Sequence, residues 1–101
     1  DGFVREKILE VIFRAIDEVN DALPPKNRLA KSPDTTLFGE GATLDSIGLV
    51  NLIVATEQRL LEDLDVSVTI ANERAISREK SPFRSVDMLA EYVEELIEES
   101  S

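Results

Sequence analysis

Apolar side chains recur at helical intervals near the start of the chain, at Val4, Ile8, Val11, Ile12, Ala15, Ile16, Val19 and Leu23. Steps of three and four residues, with adjacent pairs between them, put these positions on one side of an α-helix. Pro24 and Pro25 end it, because neither can donate the amide that the next turn requires. The period then disappears over 24–43, a connection holding Pro33, Gly39 and Gly41. Structureless connections of this length are uncommon in compact domains and are either functional or the sign of a wrongly assigned element; a loop is expected here. Leu29, Leu37 and Phe38 are the residues expected to pin it to the core.

Helical spacing returns over 45–61. Asp45 is placed to cap this second helix, and Glu57, Gln58 and Arg59 are good helix formers late in it. Leu49, Leu52, Ile53 and Leu60 have core-facing spacing, while Ile47, Val50 and Val54 form another stripe beginning one residue after Ser46. Two accounts fit the surplus apolar face: a helix buried on all sides, or a strip left open for a partner. Residues 66–70, Val-Ser-Val-Thr-Ile, alternate with period two, but a lone strand has nothing to pair with. An extended loop turning Val66, Val68 and Ile70 inward is expected instead. Asn72 would cap a short third helix over 73–79, ending near Pro82. Ser85 would cap a fourth, with Val86, Leu89, Val93, Leu96 and Ile97 on its inner face and Glu91, Glu94, Glu95, Glu98 and Glu99 in solvent. The pattern predicts an all-α domain spanning 1–101: a four-helix bundle of three longer helices and a short third one, with a long loop between the first two.

Composition narrows the function. The 101 residues are 43% hydrophobic, enough for one core and no second. Twenty-one acids against 11 bases leave a net charge of −10. Such a surface repels phosphate backbones and anionic lipid, so neither nucleic acid nor membrane is an expected partner; basic protein surfaces are. Cysteine and histidine are both absent. That removes disulfides, thiolate metal sites and the Ser–His–Asp and Cys–His catalytic arrangements together. No apolar run approaches a membrane span, and a cytoplasmic monomer without catalysis of its own is expected. Asp63, Asp65 and Ser67 resemble the opening of a calcium loop, but its glycine would fall on Val68 and its closing glutamate on Arg74, so the match fails. Arg74, Arg78, Lys80 and Arg84 are expected to balance neighbouring acids.

The segment Leu44-Asp45-Ser46-Ile47-Gly48-Leu49 carries the chemistry. Ser46 falls in the first turn of the second helix, where free backbone amides and the positive dipole end favour a phosphate. A plain capping role for the serine is the competing reading. A capping box needs Glu or Gln three residues on; from Asp45 that position is Gly48 and from Ser46 it is Leu49, so no box is completed.

The string LDSIGLVNL, continued by IVATEQRL, resembles the acyl carrier protein family, whose attachment motif Asp-Ser-Leu (or Ile or Met) opens the second helix of a four-helix bundle. The resemblance runs from LFGEGATLDSIG to the closing SPFRSVDMLAEYV. It implies that Ser46 takes phosphopantetheine from coenzyme A through a separate transferase. It implies further that the arm's thiol carries an acyl or aminoacyl thioester to partner enzymes. A chain without cysteine does thioester chemistry in this way because the sulfur belongs to the cofactor. Asp45, Ile47, Val50, Val54 and Glu57 would form the docking face for the transferase and for acyl-loading ligases or synthase enzymes with basic patches. A specialised fatty-acid, polyketide or related pathway is implied.

Two departures from the family pattern qualify this. Acids usually stand two and five residues after the attachment serine, where this chain has Gly48 and Asn51, leaving Glu57 as the remaining acid on a matching position. Dedicated partners are therefore expected in place of general fatty-acid synthesis enzymes. Thr56 stands where an apolar residue commonly lines the acyl cavity. Its hydroxyl is expected to bond the carbonyl one turn back, and it also raises the alternative of short or polar cargo. An aminoacyl carrier of the D-alanyl type, with a similar LDSMG-like motif, is the nearest alternative. A helical interaction module without a prosthetic group is the alternative from another class.

Overall fold

Helix α1 (Gly2–Asp21) forms along the first apolar stripe in the computed structural model, which describes residues 2–37, 44, 46–70 and 83–100. Ile8, Val11, Ile12, Ala15, Ile16 and Val19 are all buried on one side of it. The helix stops two residues before Leu23, the last member of the stripe. Its final carbonyls are met by tight turns, Ala22 N–H to Val19 O at 3.0 Å and Leu23 N–H to Asn20 O at 3.0 Å. Pro24 then holds an extended conformation and a single 3-10 turn follows, Pro25–Asn27, with proline at its start where no amide is needed.

Helix α2 (Ser46–Leu64) runs three residues further than its apolar pattern predicts. What ends it is Asp65, whose φ of 55° is left-handed. Its N–H reaches Leu61 O at 3.1 Å and the N–H of Val66 reaches Leu60 O at 3.1 Å, so carbonyls of the last turns are satisfied. A short polar side chain tolerates this conformation better than a branched apolar one. The chain leaves in an extended path, with Val66 and Val68 half-buried against the core and Ile70 fully buried, as the alternation predicts.

The helix expected as the fourth is α3 (Val86–Ser100). Ser85 caps it: the Met88 N–H donates to Ser85 Oγ at 3.2 Å. Val86, Leu89 and Val93 are buried as expected, and Ala90 and Tyr92 join them. The short helix over 73–79 with its cap Asn72, together with Phe38, Asp45, Arg74, Arg78 and Lys80, lies outside the described residues. Among those described the architecture is all-helical, three α-helices and one 3-10 turn, with an isolated antiparallel bridge between Thr36 and Ser85 in place of any strand.

Helix α1 is the shared wall, packing against both α2 and α3. One continuous core draws on all three helices, and the long first connection contributes Leu29, Leu37 and Leu44 to it. That connection is tied down by its backbone. Leu37 N–H donates to Arg84 O at 2.8 Å, Val86 N–H to Thr35 O at 3.1 Å and Asp87 N–H to Pro33 O at 2.9 Å. Among the described residues three arginines are ion-paired: Arg14 with Glu10 and Asp63, Arg59 with Glu18, and Arg5 with Asp87 and Glu94. Pairs this close to water are individually weak. Among the described residues no buried side-chain polar atom lacks a hydrogen-bond partner.

Candidate functional site

Ser46 is the first residue of α2. At this place the backbone amides have no intrahelical acceptor, and nineteen residues of aligned peptide dipoles give the helix start partial positive charge. The position is held from behind by Leu44, buried two residues earlier, and from ahead by Leu49, Leu52 and Ile53, all buried.

The other side of α2 faces solvent. Ile47 is 72% exposed, Val50 56% and Val54 45%. A helix buried all round is thereby excluded, and the second stripe is an open apolar strip. Leu61, 52% exposed, belongs to it as well. The steps from 47 to 50, 54 and 61 are three, four and seven residues, so the strip extends along almost the whole helix on one face. Leu61 was not among the docking residues read from the sequence, although its spacing of seven from Val54 carried that signal.

Glu57 behaves differently from its neighbours on this face. It is half-buried, and its Oε2 accepts the backbone N–H of Ile70 at 2.6 Å. The carboxylate is engaged with the chain's own extended segment. Thr56 is fully buried, and its Oγ1 donates to Leu52 O at 2.8 Å, the expected bond one turn back. The hydroxyl at this position is therefore satisfied locally.

Gly48 and Asn51, the two positions without the family's acids, share one environment. Both line a cleft of about 390 Å³ between the end of α1 and the first half of α2. Val19, Ala22 and Leu23 line its α1 side; Ile47 and Ala55 lie beside Gly48 and Asn51 on the other. Gly48 is buried, whereas Asn51 is exposed. Glu18, also on the cleft, accepts from Arg59 Nε at 3.0 Å. That hydrogen bond and the adjacent charge hold the Arg59 guanidinium above its ordinary pKa. A second, smaller hollow of about 190 Å³ at the opposite end of the α1–α2 contact is lined by the Arg14 ion pairs and by Lys7.

Among the described residues no group of three or more acids could hold a metal ion, and no helix is long and apolar enough to cross a membrane. No model of a known protein family, no curated protein and no solved structure matches the chain.

Proposed function

We propose that this chain is an acyl carrier protein: a four-helix carrier domain that holds an acyl or aminoacyl group on phosphopantetheine attached to Ser46 and presents it to partner enzymes. One observation carries the reading. The residue of the Asp-Ser-Ile motif that would bear the arm opens a long helix, and the exposed apolar strip of Ile47, Val50 and Val54 begins immediately after it.

The residues present fit the group. A phosphodiester on Ser46 would sit at the positive dipole end of α2. Ile47 and Gly48, the next two residues, line a cleft between α1 and α2. Attachment forms the bond between Ser46 Oγ and phosphorus as the diphosphate bond of coenzyme A breaks; adenosine bisphosphate leaves and the hydroxyl proton goes to solvent. When bound, the group supplies a thiol for thioester chemistry. The chain's own residues then anchor the arm, offer the apolar strip of α2 to a partner and steer that partner by negative charge. The partners on this reading are a phosphopantetheinyl transferase and loading or synthase enzymes with basic patches, met by a cytoplasmic monomer.

Intact mass after incubation with coenzyme A and a broad-specificity transferase tests the proposal. A gain of one phosphopantetheine, absent in Ser46→Ala, is expected; an unchanged mass overturns it. Loading with acyl and aminoacyl adenylates then separates an acyl carrier from one of the D-alanyl type.

The reach of the strip to Leu61, well beyond the start of α2, favours a second reading: an interaction module that uses this face without any prosthetic group. Partner binding that survives Ser46→Ala, in a protein that gains no mass, would select it.

A further inference from the structure

We draw no further inference here: the strongest candidate, the apolar cleft between the end of α1 and the first half of α2, joined at Ile47 to the exposed strip, carries nothing because nothing in the structure shows what covers it.

Discussion

The Asn20 carboxamide clamps the backbone of Leu29 at both polar groups. Its Nδ2 donates to Leu29 O at 3.0 Å while its Oδ1 accepts the Leu29 N–H at 2.8 Å. A side chain near the end of α1 thus imitates a neighbouring strand and sets where the long first connection begins. Leu29 is buried beneath this clamp, and Arg28 Nε adds a bond to Asn20 O at 3.1 Å.

Removing the clamp exposes its worth. Asn20→Ala leaves both Leu29 backbone groups without their partner, a loss of about 1–3 kcal/mol for buried polar groups. Urea unfolding should show that loss, and the Leu29 amide should exchange faster with the solvent than in the parent protein. Unchanged protection would mean that the buried Leu29 side chain alone holds the loop.

Glu57 provides a second test. Its bond to Ile70 N–H ties the extended segment 65–70 to α2. Glu57→Ala should cost about 1–3 kcal/mol and release the Ile70 amide to exchange, while Glu57→Gln keeps an acceptor and should lose less. Equal losses in the two variants would contradict the bond as the source of the effect.

The strip on α2 should separate function from stability. Val50→Lys and Val54→Lys place a charge on exposed positions, where substitutions usually change stability by no more than about 0.5 kcal/mol. Uptake of the arm from the transferase, or acyl transfer to a partner, should fall by about tenfold or more if these side chains form the centre of an interface. Leu61→Lys measures how far the interface extends: a tenfold loss there places the contact along the full helix, and no change confines it to the first half.

Charge predicts a salt dependence. With a net charge of −10 the protein should meet basic partners faster at low ionic strength. Screening shortens from about 10 Å at 0.1 M salt to about 3 Å at 1 M, so association should slow across that range. A stopped-flow titration reads this directly, and a flat response would make the contact purely apolar.

At the end of α2, Asp65→Val should destabilise by about 1–2 kcal/mol, since a branched side chain resists the left-handed conformation. Asp65→Gly, free of that penalty, should be neutral or slightly stabilising in the same thermal unfolding experiment.

Much of this was legible along the chain. Periodicity alone assigned the buried sides of α1, α2 and α3, because a residue's place on a helix follows from spacing of three and four. The Ser85 cap and the Thr56 back-bond were equally local, each linking groups no more than four residues apart. Other features were invisible for the same physical reason in reverse. The Asn20 clamp joins residues nine apart across a proline turn, and Glu57 finds Ile70 thirteen residues on. Neither spacing has a period to detect. Sequence could describe the strip of Ile47, Val50 and Val54 but left open whether it was covered, since that depends on where α1 and α3 pack. Likewise Gly48 and Asn51 read only as two places without an acid until α1 folded against α2 and made them walls of one cleft. The chain by itself determined which faces are apolar, through helical geometry; only the tertiary structure decided which of them meets water, because burial is a property of neighbours brought together from distant parts of the sequence.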